Sequence, residues 1–448
     1  MKNLRMLFSG WYLLAFVLAV AAHVLLGVYA PDSKGYAYDL YSEALYVVSS
    51  ELRIPDRDDC WICYHPPLYP VIGATIFKIV TAMGFSPAVQ QYVVSGLGST
   101  LSLILSIYGF LLYLIYRKHQ NMDLVLWVLI LFLPVKFINS FSIEADMLGA
   151  ALIVAATYHL AVYLKRENFP HLVVCAFLVG LATLTKYTGV VVGVVFGVAL
   201  LWRFLQHRTS QEFGHGLIYA AIVLAMGGWL YISNIVKYET PFPGNDAWNR
   251  GSGHWDYYDF TSFGLGRIVA TFDPAALPGI DDKREYWKDQ KTIQLWRFPQ
   301  YNQQVLTSLY GQLWTDFSFF SVKGRHGLFE FQEVFQGKDM PKLLLWAILV
   351  AGLAPVVLSI FGFVLLALQR EASLLLAVCI VTTAVYVNWF TGYNIWMLKT
   401  KYLLFLFPMW LVFIDKSGDV INARAVRLLV WPAALFSMIY CFVFAVVG

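Results

Sequence analysis

Residues 171–202 have the sequence HLVVCAFLVGLATLTKYTGVVVGVVFGVALLW, in which Lys186 is the only Lys, Arg, Asp or Glu. The run is longer than the roughly 20 residues that a helix needs to cross the hydrocarbon core of a bilayer. As a single helix it would place the lysine near the bilayer centre, where a charge is costly. We therefore predict two short membrane-spanning helices joined by an outer turn at residues 185–189.

The composition of the whole chain supports the same class of protein. Of its 448 residues, 59% are hydrophobic and 13% are charged, whereas soluble domains contain about 25% charged residues. The mean hydropathy is +0.62. These values exclude a soluble globular protein and predict an all-α polytopic membrane protein. The 32 basic and 28 acidic residues include no basic block, so we do not expect a nucleic-acid partner.

Lysine and arginine accumulate on the cytoplasmic side of membrane proteins, and four groups define that side here. They are Lys2/Arg5, Arg117/Lys118, Lys165/Arg166 and Arg203/Arg208. The first two groups require an even number of crossings between them, yet three apolar segments lie there. Residues 66–83 are the shortest of the three and contain three prolines and Lys78. We therefore predict that this segment is a juxtamembrane helix in the outer interface.

About eleven crossings result, with the N-terminus in the cytoplasm. They are residues 8–30, 89–116, 124–138, 147–164, the two halves of 171–202, 216–236, 343–368, 372–390, 402–414 and 428–447. The first is too long for the apolar core of a signal peptide, so we expect it to be retained. Three parts follow: a transmembrane module, 1–236, with the first outer loop at 31–88; a polar, aromatic-rich outer segment, 237–342; and C-terminal helices, 343–448.

Three lysines lie on the predicted outer side, where lysine is disfavoured. Lys186 lies between two minimal spans, and Lys399 and Lys401 immediately precede the span 402–414. Each is either an ordinary lysine that extends toward the lipid headgroups or a ligand of an anion such as a phosphate. The sequence leaves both interpretations open.

Three carboxylates lie on the same predicted side. Asp32 follows the first span, and Glu144 and Asp146 precede the span 147–164. Carboxylates at such places commonly cap a helix, and capping is the simpler interpretation. A pair of carboxylates two residues apart could also help to hold a divalent cation.

Two of the five cysteines, Cys60 and Cys63, lie in a polar loop. On an oxidising outer face they would form a disulfide. The alternatives are a zinc site completed by His65 with Asp58 or Asp59, and unpaired thiols. A thioredoxin-like redox function is not expected because no βαβ pattern surrounds the pair.

Several short motifs occur in a fixed order along the chain. They are 31–36 (PDSKGY) with the helical residues 37–45 behind it, 64–69 (YHPPLY), 141–148 (FSIEADML), 184–189 (LTKYTG), 234–243 (NIVKYETPFP) and 401–408 (KYLLFLFP). In order and sidedness they resemble the GT-C superfamily of membrane glycosyltransferases. The nearest branch is the family 39-like one, which includes protein O-mannosyltransferases and aminoarabinose transferases. The resemblance covers most of the first 245 residues and part of the last 60. The chain departs from it at Ser33, where many relatives have Glu, and in a late Lys where others often have Arg.

The resemblance implies a GT-C-like helical bundle that moves a sugar from a polyprenyl-phosphate donor to an acceptor hydroxyl on the extracytoplasmic face. The phosphate departs already charged, so cations are needed but a general acid is not. One carboxylate then activates the acceptor, and the sugar inverts. We predict Asp32 as the general base and Lys186, Lys399 and Lys401 as ligands of the donor phosphate. The expected pocket residues are Tyr36, Tyr64, His65, Glu144, Asp146, Tyr187 and Tyr402.

The resemblance leaves the cofactor and the acceptor open. Glu144 and Asp146 resemble the metal-binding carboxylates of some GT-C members, whereas the closer branch works without a metal. The acceptor would be a protein, a lipid or a glycan, and the expected location is a bacterial cytoplasmic membrane with the active site facing outward. Two other functions compete: a lipid-linked glycan polymerase or ligase, and a secondary transporter. A transporter would place its charges near the bilayer midplane rather than at one face.

Overall fold

The computed structural model describes residues 7, 9–29, 36–60, 62–243, 310, 313–314, 321–325, 328–332, 342–393 and 400–447. The helices are α1 Gly10–Tyr29, α2 Tyr36–Glu51, α3 Leu68–Ala82, α4 Pro87–Tyr116, α5 Asp123–Leu131, α6 Pro134–Asn139, α7 Ala145–Arg166, α8 Phe169–Thr183, α9 Tyr187–His207, α10 Ser210–Val223, α11 Trp229–Tyr238, α12 Lys342–Gln369, α13 Ser373–Tyr393, α14 Phe407–Ile421 and α15 Ala423–Val447. Short 3₁₀ helices occupy Gln120–Met122 and Thr400–Leu406, and a π-helical turn, Leu224–Gly228, joins α10 to α11. Two antiparallel strands, β1 Ser321–Arg325 and β2 Leu328–Gln332, form a hairpin within the segment 237–342.

The predicted fold class, an all-α polytopic membrane protein, is confirmed. In the described part of the chain, eight helices are long and apolar enough to cross a membrane. Three shorter apolar helices, Leu68–Ala82, Phe169–Thr183 and Ser373–Tyr386, accompany them. The count of eleven crossings stays a prediction, because the length of these short helices alone does not decide whether they cross.

The predicted break within residues 171–202 is confirmed. Helix α8 ends at Thr183 and α9 begins at Tyr187. The backbone N–H groups of Thr185 and Lys186 both donate to the carbonyl oxygen of Ala182, at 3.0 Å each. The two helices therefore form a tight hairpin, and Lys186 lies in its turn.

The segment 66–83 is helical, as predicted. Its helix α3 packs against α2, with Gly73 close against the side chain of Leu45. Two helices therefore occupy the loop between the first and second candidate spans, which is the architecture that the GT-C resemblance implies. Whether α3 lies in the interface stays a prediction.

Small residues on one face of α4 allow the segment 130–140 to approach it closely. A Cβ atom at Gly98 would clash with the backbone of Ser140. One turn further along, the hydroxyl of Ser102 contacts two buried polar groups, His23 Nε2 at 3.1 Å and Lys136 Nζ at 2.9 Å. Lys136 is completely buried. Small residues at four-residue spacing commonly line close helix contacts in membranes.

Most of the basic groups that we predict to be cytoplasmic lie at one end of the bundle. Lys165 Nζ donates to the carbonyl of Ile115 at 2.9 Å, and Arg203 pairs with Glu167 and Glu212 at 2.6 Å each. Contacts between these loops place 115–123, 165–171 and 203–215 together. This end of the bundle is called the basic end below.

Asp415 and Lys416 directly follow the predicted span 402–414. Both lie within α14 and are almost fully buried. Asp415 accepts the backbone N–H of Lys118 at 2.6 Å, and Lys416 donates to Glu371 at 3.1 Å. The hydrogen bond from Lys416 lowers the pKa of the Glu371 carboxyl. These partners allow charged residues to lie inside a helix of the basic end.

Candidate functional site

The site lies at the end of the bundle opposite the basic end, where the loop 52–67 folds onto the turn between α8 and α9. The backbone N–H of Leu68 donates to the carbonyl of Leu184 at 2.8 Å. The hydroxyl of Tyr187 donates to the carbonyl of Tyr64 at 2.6 Å and lies 3.3 Å from the carbonyl of Pro243. The YHPPLY and LTKYTG motifs, which are about 120 residues apart in sequence, are therefore joined directly.

A short covalent ring shapes the loop just before Tyr64. The sulfurs of Cys60 and Cys63 are 2.00 Å apart, and their Cα atoms are 5.1 Å apart. Within and after the ring, the backbone N–H of Cys63 donates to Cys60 and that of His65 to Ile62. These consecutive turns direct the carbonyl of Tyr64 toward Tyr187. Within the described residues, no three His, Cys, Asp or Glu side chains are grouped as a metal site would need.

His65 is partly buried beside the two tyrosines. Its ring centroid lies 4.2 Å from that of Tyr64 and 6.2 Å from that of Tyr187. Loss of solvent, and secondly the charge of Lys186, lower the pKa of His65 to about 3. The imidazole is therefore neutral at physiological pH. Its Nδ1 atom is shielded from solvent and makes no hydrogen bond within the described structure.

Lys186 forms an ion pair with Asp146, contacting its Oδ1 atom. Both side chains are largely buried, with 14% and 8% of their surfaces exposed. The ammonium also lies 4.0 Å from the centre of the Tyr402 ring, a cation–π contact. Three separate parts of the chain therefore meet at this lysine: the start of α7, the turn between α8 and α9, and the 3₁₀ helix Thr400–Leu406.

Helix ends act differently on the two members of this ion pair. Asp146 lies in the first turn of α7, where the helix dipole favours a negative charge. Lys186 follows the C-terminus of α8 but is also the N-cap residue of α9, where the helix dipole disfavours a positive charge. Glu144 occupies the N-cap position of α7, but its side chain does not cap the helix. The capping hypothesis for Glu144 is therefore wrong.

Two tyrosines that sequence reasoning did not place in the pocket lie beside Glu144. The rings of Tyr41 and Tyr69 pack edge to face with centroids 5.3 Å apart. Burial, and secondly the charge of Glu144, raise the pKa of Tyr41 well above its ordinary value. Tyr69 belongs to the YHPPLY motif, which could have indicated it. Tyr41 lies on α2, and only its helical position could have suggested it.

Charged residues fasten the loop 52–67 to the end of α11. Lys237 pairs with Asp56, and the guanidinium of Arg57 lies 4.5 Å from the centre of the Tyr238 ring. Earlier in the loop, Arg53 donates two hydrogen bonds to Asp59, which lower the pKa of that carboxyl. Sequence reasoning missed these contacts, which hold the loop over the site.

Some predicted site residues lie outside the described part of the chain. Asp32 and Lys399 are outside it altogether, and the side chains of Tyr36 and Lys401 are outside it although their helices are described. The predicted residues that the structure brings together are Tyr64, His65, Glu144, Asp146, Lys186, Tyr187 and Tyr402.

The family comparison covers three of the motifs, YHPPLY, FSIEADML and LTKYTG. The model of the family described as dolichyl-phosphate-mannose-protein mannosyltransferase matches residues 64–231. The match begins at Tyr64 and includes Asp146 and Lys186, so it contains the ion pair and residues 64–67 of the loop that packs on the turn. Over these residues, the chain is similar to a family of GT-C mannosyltransferases. The predicted resemblance is thereby confirmed, and the chain is a multi-pass membrane protein.

Solved structures show the same fold. The oligosaccharyltransferase of Archaeoglobus fulgidus in complex with Zn and sulfate aligns with a TM-score of 0.53 and 13% identity, over 97% of this chain and 53% of that one. The apo form of that enzyme aligns with a TM-score of 0.52 and 13% identity, over 96% and 56% of the two chains. The present chain therefore spans about half the length of these structures. Among curated proteins, none matches it.

Proposed function

We propose that this protein is a glycosyltransferase that takes a sugar from a polyprenyl-phosphate donor and transfers it to an acceptor hydroxyl. The observation that carries the proposal is the convergence of Lys186, Asp146 and His65 at one end of the bundle. All three residues lie within the part that matches a family described by its dolichyl-phosphate-mannose donor. A buried cation at the end of a bundle of apolar helices is suited to the phosphate of a lipid carrier.

The reaction would need one base and several cations. Attack of the acceptor hydroxyl on the anomeric carbon breaks the bond to the phosphate, and the leaving phosphate takes up the bonding electrons. Lys186, with Lys399 and Lys401, would stabilise that charge, and Asp32 would accept the proton of the hydroxyl. Neutral His65 offers a hydrogen-bonding nitrogen without a competing charge. Displacement of the phosphate by direct attack inverts the anomeric carbon.

The site would face outward from a bacterial cytoplasmic membrane, with the N-terminus inside. The clustering of Arg117, Lys165 and Arg203 at the basic end supports this orientation, because basic residues accumulate on the cytoplasmic side. The donor would then enter from the outer leaflet. The hairpin turn at Lys186 would lie at the level of the headgroups.

Mass spectrometry of glycoconjugates from cells with and without the gene tests the proposal. We expect one class of glycosylated protein, lipid or glycan to lose a sugar in cells without the gene and to regain it when the wild-type gene is restored. The mass lost identifies the sugar, and the molecule that carries it identifies the acceptor. Identical glycoconjugates in both strains, with the protein verified in wild-type membranes, would contradict a transferase function.

A further inference from the structure

We propose that Asp146 is a positioning residue that occupies Lys186 in the resting enzyme and returns to it after the reaction, so that it expels the used carrier phosphate. This inference rests on the proposed function. Its starting observation is that the lysine expected to bind the donor is already paired with a carboxylate. A donor phosphate must therefore compete with Asp146 for the same ammonium group.

The charges of the two competitors favour an exchange. The phosphodiester that links sugar and carrier has one negative charge, as does the aspartate, so replacing one by the other leaves the net charge beside Lys186 unchanged. After transfer, the carrier phosphate is a monoester with a second ionisable oxygen. Held beside a nearby carboxylate, this product is subject to stronger repulsion than the donor. Asp146 therefore opposes retention of the product more than binding of the donor.

The surroundings allow the ion pair to open. A buried ion pair normally cannot lose one partner, because the remaining charge is left uncompensated. Here each partner has a second stabilising contact: Lys186 lies over the Tyr402 ring, and Asp146 lies in the first turn of α7. Lys186 also lies in a turn between two helices, and its long side chain has four rotatable carbons. It can therefore turn toward a phosphate without unwinding a helix.

Affinity for polyprenyl monophosphate tests the inference, because competition and a purely structural role predict opposite signs. The full chain is placed in phosphatidylcholine nanodiscs, and binding of polyprenyl monophosphate is measured for wild type, Asp146→Asn and Lys186→Met. Competition predicts that Asp146→Asn binds about tenfold more tightly, which corresponds to about 1.4 kcal/mol. Lys186→Met should bind more weakly than wild type. Asp419→Asn, which alters a Lys–Asp pair at the basic end, is the matched control and should bind as wild type does.

The outcomes separate the inference from the proposed function. Weaker or unchanged binding by folded Asp146→Asn, with normal binding by wild type, would overturn the exchange and leave the transferase function intact. Absence of binding by both wild type and Asp146→Asn would overturn both. If phosphatidylglycerol or inorganic phosphate gained the same tenfold in Asp146→Asn, the site would be a general anion site and the role in carrier release would be refuted. If Asp146→Asn does not fold, Asp146→Ser, which also removes the charge, is measured with the same two outcomes.

Discussion

Helices α8 and α9 approach each other closely, and three glycines lie on one face of α9. We predict that replacing them by alanine destabilises the protein less and less along the helix. Gly189, Gly193 and Gly197 follow one another at four-residue spacing. A Cβ atom at Gly189 would overlap the backbone of Ala182 and Thr183. At Gly193 it would lie 3.0 Å from a Val179 methyl carbon, and at Gly197 it would lie 4.0 Å from the Tyr219 ring. The space available for a methyl group therefore increases along the helix.

The expected stability changes follow from two opposing effects. Alanine favours a helix over glycine by about 1 kcal/mol, and overpacking a close contact costs about 1–3 kcal/mol. The neighbours of Gly189 are backbone atoms, which cannot rotate away, so Gly189→Ala should destabilise the protein by about 1–2 kcal/mol. Gly193→Ala should be nearly neutral, because the Val179 side chain can adjust. Gly197→Ala meets only an ordinary contact and should be neutral or stabilising by up to about 1 kcal/mol.

The first substitution should also disturb the site. The backbone that Gly189→Ala would displace carries the Ala182 carbonyl, which accepts from the N–H of Lys186. Unfolding of the three variants in mixed micelles measures stability, and binding of polyprenyl phosphate in nanodiscs measures the site. We expect Gly189→Ala to lose stability and to bind polyprenyl phosphate more weakly, and Gly197→Ala to keep both the stability and the binding of wild type. Equal stability and equal binding of these two variants would refute the tight hairpin as the element that positions Lys186.

Three further predictions concern burial, pH and topology. Ser102→Ala should destabilise the protein by about 1–3 kcal/mol because it removes a hydroxyl shared by two buried polar groups. Lys136→Met should destabilise it less because this change removes the buried charge itself. A larger loss of stability in Lys136→Met than in Ser102→Ala would contradict this account. The pKa of His65 is lower in the folded than in the unfolded chain, so acid favours unfolding. Between pH 7 and pH 5, the free energy of unfolding of wild type should fall by up to about 2 kcal/mol more than that of His65→Gln. Equal decreases in the two proteins would show that His65 is solvated. The topology is tested with single cysteines in a background without native cysteines and with an impermeant thiol reagent applied from outside. A cysteine that replaces Ser86 should react, and one that replaces Asn168 should not. The opposite pattern would mean that α3 crosses the membrane.

Local chemistry made part of the fold predictable. The break between α8 and α9 could be predicted because a run longer than one span with a lysine at its centre has few solutions in a bilayer. The convergence of Tyr64 with Tyr187 could not be derived from spacing. It was expected only through the resemblance to GT-C enzymes, whose motifs occur in the same order.

Long-range pairing explains most of what the sequence did not reveal. Asp146 and Lys186 are 40 residues apart, and nothing in either motif shows that one neutralises the other. The predicted span 402–414 ends before Asp415 and Lys416, since charges are disfavoured inside membrane-spanning helices, whereas α14 continues through both residues. Their partners, the backbone at Lys118 and the carboxylate of Glu371, come from other loops. Interactions of this kind appear only when the helices are assembled.

Turnover of a polyprenyl-phosphate-linked sugar by the purified full-length chain tests the proposed function most directly. Wild type and Asp32→Asn are each placed in nanodiscs. They are supplied with polyprenyl-phosphate-linked hexoses and pentoses, and with a membrane extract as the source of acceptor. The release of polyprenyl phosphate is then measured. We predict that wild type consumes one of these donors and that Asp32→Asn binds it normally but reacts about 10²- to 10⁴-fold more slowly, as loss of a general base requires. Near-normal turnover by Asp32→Asn would remove that residue from the mechanism, and failure of wild type to consume any donor would contradict a transferase that uses a polyprenyl-phosphate carrier.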